Sequence, residues 1–329
     1  MSQTLPRWLT NRPPSAAVEI TARRVTAAVI AEHGASRVLS SYAGEPLPAG
    51  AVEPALNAPN IHDAAALTST IRTVLDKLTP RPRRIALVLP DTVGKLSLVR
   101  FEKVPARLQD LDQLIRWQVR KAAPFKFEDA QIAWVPGIAL PEGGREYVVT
   151  VARRDIIEGY ERACEAAGAS PGIVDVATVN LINAVLATDG GAVRTADWLL
   201  VHIAFGYSTL AVVRGADVIF FRTRPSERDD DLADLVHQTA MYHEDRLGGG
   251  GFSRLVLAGG SLHGPDAAER LRRELEARVG TRVELLDFRG AVALRDRIAA
   301  APELLDSLAP AIGVILRERV RSTSSGQVA

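Results

Sequence analysis

The stretch Leu199-Leu200-Val201-His202-Ile203-Ala204-Phe205-Gly206-Tyr207-Ser208-Thr209-Leu210-Ala211-Val212-Val213 decides how this sequence is read. It gives two short strand-like runs, Leu199 to Ala204 and Thr209 to Val213, joined by a turn. A third run, Val218 to Phe221, follows the turn Arg214-Gly215-Ala216-Asp217. The same texture occurs near the start of the chain. There Ala17-Val18-Glu19-Ile20 and Val25 to Ile30 are separated by Thr21-Ala22-Arg23-Arg24, short enough for a hairpin, and Arg37 to Tyr42 continues the block. Two blocks that each open with a β-hairpin are not a short-period solenoid. They predict two related α/β lobes, the first enlarged by material between about residues 85 and 170.

Working outward, Gly44 to Asn60 reads as an exposed loop rich in Pro, Gly and Asn. Leu67, Ile71, Val74, Leu75 and Leu78 recur at helical spacing until Pro80 and Pro82. Ile85 to Leu89 is a buried strand and Leu96 to Phe101 a second. Leu108 to Ala122 carries a helical stripe ended by Pro124. Ile132 to Val135 and Tyr147 to Ala152 are strands around the turn at 141–144, and Ile156 to Ala167 is a helix closed by Gly168. In the second block a helix runs from Asp231 to about Leu247 and stops at four glycines. Arg254 to Leu257 is a strand running into Gly259-Gly260, and Pro265 opens a helix with Ala268, Leu271, Leu275 and Val279 inward. Residues 1–14 read as an arm and 321–329 as a disordered polar tail.

Composition narrows the function. Of 329 residues, 47% are hydrophobic and 24% charged, and 40 basic against 39 acidic side chains leave a net charge of +1. That balance lacks the basic footprint of a nucleic-acid binder. The single Cys164 excludes an internal disulfide and lies on an apolar helix face with Ile156 and Tyr160, so it reads as a core thiol. No apolar run approaches a membrane span, and the N-terminus has no signal-peptide core, which predicts a cytoplasmic protein brought to any membrane by a partner. No pair of the six histidines has metal-binding i,i+4 spacing. Asp229-Asp230-Asp231 reads as a helix cap rather than a cation site.

The two hairpins, the Gly-Gly turn and the end of the chain resemble the actin-like ATPase fold, a duplicated, ribonuclease H-like, two-lobed α/β architecture with an inserted small subdomain. Within it, residues 15–318 look most like the PilM family, cytoplasmic actin-like proteins of type IV pilus assembly, and more distantly like FtsA. Val18 to Ala28 matches the family's first phosphate hairpin, Val201 to Leu210 the second, and Leu255-Val256-Leu257-Ala258-Gly259-Gly260-Ser261 the adenosine-side turn. Gln118-Val119-Arg120-Lys121-Ala122-Ala123-Pro124-Phe125 and Ala240-Met241-Tyr242-His243-Glu244 point to PilM in particular. On this reading residues 15–196 form the first lobe, with the insert at about 85–170, and 197–320 the second.

The resemblance implies ATP, with Mg²⁺, in a cleft contacted by Glu19, Thr21, Gly206, Ser208, Thr209, Gly259, Gly260 and Ser261. Such a site needs close backbone donors for phosphate and hard oxygen ligands for Mg²⁺. This chain departs from the family at both. Glu19 replaces the first aspartate, and Thr21 replaces its glycine, adding a Cβ where phosphate should approach. Thr26 stands at a lysine-like position, His202 replaces the second aspartate and Ala204 one of its glycines. The expectation is a degenerate site with weak or absent hydrolysis, any ATP being a structural or regulatory ligand held through Gly259 and Gly260. No catalytic residue and no metal site are assigned. His202 reads as a structural histidine, and Asp175 resembles an acidic position before a family helix.

Trp117, Phe125, Phe127 and Trp134 concentrate aromatics in a chain with only 5% of them. They read either as the insert's own core or as a groove for a partner. The resemblance implies a partner, the cytoplasmic N-terminal peptide of a PilN-like inner-membrane protein, with Trp117, Arg120 and Phe125 as contacts and Lys121 nearby. That makes the chain a scaffold of the pilus inner-membrane complex, serving twitching motility and peripheral to the inner membrane. Two alternatives stand beside it: the cytoplasmic part of a GspL-like type II secretion protein, and a small-molecule kinase of the same superfamily.

Overall fold

The computed structural model describes residues 14–34, 36–140, 143–189, 196–226, 232–264, 266–295 and 298–324. Residues 1–13 of the expected arm, Pro141 and Glu142 of the expected turn, Asp229 to Asp231, Pro265 and residues 325–329 of the expected tail lie outside them. Alternation of side chains along the strands sets the layers. An antiparallel meander of β1 (Ala16–Ile20), β2 (Arg24–His33) and β3 (Ser36–Pro46) comes first. Next are α1 (Ala64–Asp76), β4 (Arg84–Leu89), β5 (Gly94–Phe101), α2 (Leu108–Val119), β6 (Ala130–Ala139) and β7 (Arg145–Arg153). The first half closes with α3 (Arg154–Ala166), β8 (Ser170–Val176) and α4 (Ala177–Thr188).

The second half repeats the plan. β9 (Trp198–Ala204), β10 (Tyr207–Arg214) and β11 (Asp217–Pro225) form its meander. α5 (Leu232–Leu247), β12 (Leu255–Ala258), α6 (Ala267–Val279), β13 (Val283–Leu285), β14 (Ala293–Leu294) and α7 (Pro302–Ser324) complete the chain. The large sheets run β14-β3-β2-β1-β4-β8 and β11-β10-β9-β12-β13. Without the short β14, both have a three-stranded meander followed by two parallel strands, as the paired hairpins lead one to expect.

Period-two patterning divides each strand between two cores. In β1 and β4, Ala17, Ala86 and Val88 face a central cluster, while Val18, Ile20, Ile85 and Leu87 face a cluster shared with α1 and α3. In β9 and β12, Trp198, Leu200, Val256 and Ala258 join the same central cluster, while Leu199, Val201, Leu255 and Leu257 pack with α5 and α6. α4 and α7 fill the space between the two sheets, contributing Leu181, Val185, Leu308, Ile312 and Leu316. Each such buried side chain contributes about 1.5–3 kcal/mol. Cys164 is fully buried among α3's neighbours, and burial pushes its thiol up to about 12, so it is a core residue.

Several expectations need correction. Ile85–Leu89 belongs to the first large sheet, not to the insert, because β4 pairs with β1 and β8. The separate sheet is β5-β7-β6, which with α2 has its own cluster around Ile115, Tyr147 and Val149. α3 packs in the first lobe beneath that sheet's neighbour rather than in the insert. The loop at 44–60 is not wholly exposed: Gly44 to Pro46 complete β3, and Leu47, Ala51, Val52 and Asn60 are buried. Asn60 holds it through its amide to the Ala55 and Ala58 carbonyls, both at 2.8 Å, and accepts from the Tyr160 hydroxyl at 3.1 Å. α7 continues to Ser324, four residues into the segment read as a tail, as the extension of a helix already nucleated by an apolar face. No helix among the described residues is long and apolar enough to cross a membrane.

Where α7 crosses α4 the backbones nearly touch. A Cβ on Gly313 would stand 1.8 Å from the Asn180 carbonyl oxygen, so only glycine fits. Helix propensity alone would make Gly313→Ala stabilising by about 1 kcal/mol. The clash reverses the sign, and the variant is expected to lose about 2 kcal/mol or more. A urea unfolding midpoint at or above wild type would refute the close crossing.

Candidate functional site between the two hairpins

The turns of the two hairpins face each other across a cleft of about 1170 Å³. Its lining includes Glu19 at the end of β1, Thr21 and Arg23 from the first turn, and His202, Phe205 and Gly206 from the second. Each turn is shaped by its own sequence. Thr21 closes the first: its hydroxyl donates to the Arg24 carbonyl at 3.1 Å and accepts from the Arg24 N–H at 3.1 Å. Gly206 makes the second, with φ of +84°. The tips touch, since the Arg23 guanidinium lies 3.5 Å from the centroid of the exposed Phe205 ring.

Below the tips lies a buried polar network that sequence reading missed. Asp91, in a 3-10 turn after β4, is 2% exposed. Its carboxylate accepts from the Thr178 N–H at 2.9 Å, from the Thr178 hydroxyl, and from the Thr209 hydroxyl at 2.8 Å. His202 Nδ1 is 3.4 Å from the same carboxylate and 2.8 Å from the Thr178 hydroxyl oxygen. The Tyr207 hydroxyl accepts from the Asp91 N–H at 3.2 Å, and its ring meets His202 edge-on. Burial pushes the Asp91 carboxyl up, but the hydrogen bond and charge of His202 and the bonds from Thr178 outweigh it and hold the group below the usual carboxylate range. His202 is thus a partnered structural histidine, as expected.

Glu19 is the opposite case. It is 6% exposed, and burial pushes its carboxyl up to about 7 against the pull of Arg24 and His202. The Gly-Gly turn is likewise committed internally. The Gly259 N–H donates to Asp306 of α7 at 2.9 Å and the Ser261 N–H to the same carboxylate at 2.8 Å. Gly259 has φ of +81°, and a Cβ there would lie 2.0 Å from the Ile203 carbonyl oxygen. A Cβ on Gly260 would meet Ala268 at 3.2 Å, in the packing of α6, so a side chain there would not occupy the space of a bound base.

Of the eight residues singled out from the sequence, the structure brings Glu19, Thr21, Gly206 and Gly259 together on the cleft. Ser208 lines an adjoining cavity instead. Thr209 is fully buried and spends its hydroxyl on Asp91 and Thr223, while Gly260 and Ser261 are buried in the turn before α6. Asp175 caps its own strand end and pairs with Arg317 at 3.3 Å. Asp91 had a signal, an acid one proline beyond the apolar run Ile85 to Leu89. Asp306 and the Arg23–Phe205 contact had none, since both depend on segments far apart in sequence. In the insert, Phe125, Phe127 and Trp134 pack against its core, and Trp134 donates to Asp112 at 2.9 Å. Trp117 alone stands out, 67% exposed, with the exposed Arg120 one turn on.

The two buried acids make opposite pH dependences. Asp91's lowered pKa gives stability that is lost as pH falls below the usual carboxylate range. Glu19's raised pKa gives stability that is full below 4.5 and lost as pH rises to about 7. Glu19→Gln should therefore flatten the alkaline-side decline and gain on the order of 3 kcal/mol at pH 8. Asp91→Ala should cost about 3–5 kcal/mol at pH 7, leaving His202 and two threonine hydroxyls without their acceptor. Urea midpoints measured from pH 4 to 8 check both, and parallel profiles for wild type and Glu19→Gln would refute the first.

Comparison with known proteins follows the geometry. No curated protein sequence matches this chain. The structure of a PilM-PilN type IV pilus biogenesis complex matches with a TM-score of 0.78 at 19% identity, covering 93% of this chain and 99% of that one. A Bacteroides thetaiotaomicron protein with an actin-like ATPase fold and unknown function matches at a TM-score of 0.50 and 6% identity, covering 95% and 99%. These likenesses are of fold, and the fold is the actin-like one that the hairpins suggested. The family described as type IV pilus assembly protein PilM matches residues 17–227, from the first hairpin through the insert to the end of β11. Because that match takes in well over half of its residues, the chain belongs to the PilM family of type IV pilus assembly proteins.

Proposed function

We propose that this protein is a scaffold of a type IV pilus assembly complex that docks the cytoplasmic N-terminal peptide of a PilN-like membrane protein, with a nucleotide cleft degenerate toward Mg²⁺-ATP. The family match across residues 17–227 carries the reading, because it spans both hairpins and the whole insert. The similar solved structure is of a PilM-PilN complex, which supports the choice of partner. Docking through a peptide would hold the protein peripheral to the inner membrane.

The cleft's donor set supports the second half. Mg²⁺ prefers several oxygen ligands in octahedral geometry. Glu19 is held toward its protonated form, His202 is spent on Asp91 and Thr178, and both Asp306 oxygens accept backbone N–H groups. Among the described residues no group of three or more potential metal ligands assembles. These residues do not fit the metal, and no hydrolytic step is derived through it. For the docking half, Trp117 is exposed on α2 and Arg120, exposed just past its end, lies 3.9 Å from the exposed Glu128, whereas Phe125 is engaged in the insert's core, so the first two are the anchors assigned. Tryptophan and arginine are both among the residue types enriched in interface hot spots.

Calorimetry with synthetic N-terminal peptides of PilN-like proteins from the same source should give saturable binding. Trp117→Ala should weaken it by about 2 kcal/mol, roughly thirtyfold. In parallel, Mg²⁺-dependent ATP hydrolysis should not exceed that of a heat-denatured control. Absence of binding by every such peptide removes the docking role, and robust Mg²⁺-dependent turnover lost in Glu19→Ala removes the degenerate cleft.

A further inference from the structure

The two lobes meet inside the fold and again in the open. Inside, the Asp91 carboxylate of the first lobe accepts from Thr209 of the second meander, and its N–H donates to Tyr207. At the hairpin tips the Arg23 guanidinium lies 3.5 Å from the centroid of the Phe205 ring. Each partner is delivered by its turn. Ala204 pairs with Tyr207 across the second hairpin, so Phe205 and Gly206 are the whole of that turn, and Phe205 is 49% exposed at its tip. Ile20 pairs with Val25 across the first hairpin, and within that turn the Thr21 hydroxyl accepts from the Arg23 N–H at 3.3 Å.

Among the described residues Arg23 has no carboxylate within ion-pair distance, so the Phe205 ring is the partner its charge has. The stack is also a wall. Arg23, Phe205 and Gly206 line both the hairpin cleft of about 1170 Å³ and the adjoining cavity of about 1040 Å³. Parting the two side chains would widen the mouth of the cleft and join the two spaces. A rotation of one lobe about the buried junction displaces the tips most. The stack must therefore break before the lobes can part, while the bonds at Asp91 are still made.

We propose that Arg23 and Phe205 form a clasp that keeps the two lobes closed over the hairpin cleft when no ligand is bound. Closure of two lobes is ordinarily driven by a ligand held between them. Here the chain supplies the closing contact itself, from one residue of each turn. The lobes then hold the insert and the second meander in one fixed relation before any partner arrives. This goes beyond the scaffold reading and is independent of it, because the clasp involves neither Trp117 nor a bound peptide.

Double electron–electron resonance on the full chain, with no ligand added, reads the opening. The single native thiol, Cys164, is fully buried, so nitroxides attach at two introduced sites. These are Ala49→Cys, exposed on the first lobe's side of the cleft, and Gln238→Cys, exposed on α5. The labelled parent is expected to give one narrow distance population. Phe205→Ala and Arg23→Gln should each add a longer one, the closed-to-open ratio falling by about two- to fivefold. Combining them should add nothing beyond either alone, since both remove the same contact. Arg23→Lys, which keeps a cation for the ring, should hold closure better than Arg23→Gln. Both side chains are exposed, so urea midpoints should match the parent's, and a longer population then reports opening rather than unfolding. Distances unchanged by both substitutions, a broad population in the parent, additive effects, or a longer population only where the midpoint falls overturns the clasp.

Discussion

The seating of the second hairpin against the first lobe depends on one buried carboxylate. Asp91 leaves the end of β4 and ties the first residue pair of α4 to the second meander through Thr178, Thr209, Tyr207 and His202. A carboxylate out of water is costly unless every lone pair is used, and here four partners converge on it. The same bonds that stabilise the charge therefore fix how the two large sheets meet. They also explain the histidine of the second hairpin. An aspartate at position 202 would set a second negative charge beside Asp91 in a buried site, whereas an imidazole can share its proton with the acid.

The central helices reinforce that constraint by shape. α4 and α7 lie between sheets whose facing strands carry small residues, Ala17, Ala28 and Ala86 on one side and Ala211 and Ala258 on the other. Small side chains let the helices approach, and Gly313 takes the approach to backbone contact. Asp306, about two helical turns before Gly313, is thereby delivered to the Gly259 and Ser261 amides. Packing and polar satisfaction in this region are one arrangement: moving α7 outward would strand two buried N–H groups at once.

What the sequence made legible was what local pattern controls. The two meanders could be read because apolar alternation and short turns specify hairpins without help from distant residues. β8 could not, because Pro171 and Gly172 argue against a strand; as the edge strand of its sheet it tolerates a missing N–H. α4 escaped for the converse reason. It is buried on nearly every face, so it shows no amphipathic stripe, and α7 carries Pro310 inside it. The insert was read as extra material enlarging the first block but was drawn too wide, since an apolar run such as Ile85 to Leu89 does not announce which sheet it joins. At the candidate site, glycines and hydroxyls were found by position in the motifs. Whether their donors were free could not be found that way: Thr209, Gly259 and Ser261 are all engaged by acids lying 45 or more residues away.

The insert has its own core, yet it is not mechanically separate. Leu98 of β5 and Val148 of β7 pack against the central cluster beside Phe221, and Ile138 of β6 packs against the cluster beneath the second sheet. Both contacts meet β11. That strand divides its aromatics between the two faces of the sheet: Phe221 joins the central cluster with Leu98 and Val148, and Phe220 joins the cluster with α5 and α6. The antiparallel ladder with β10 holds β11 along its length. The insert is therefore seated against the second meander as well as against the first lobe.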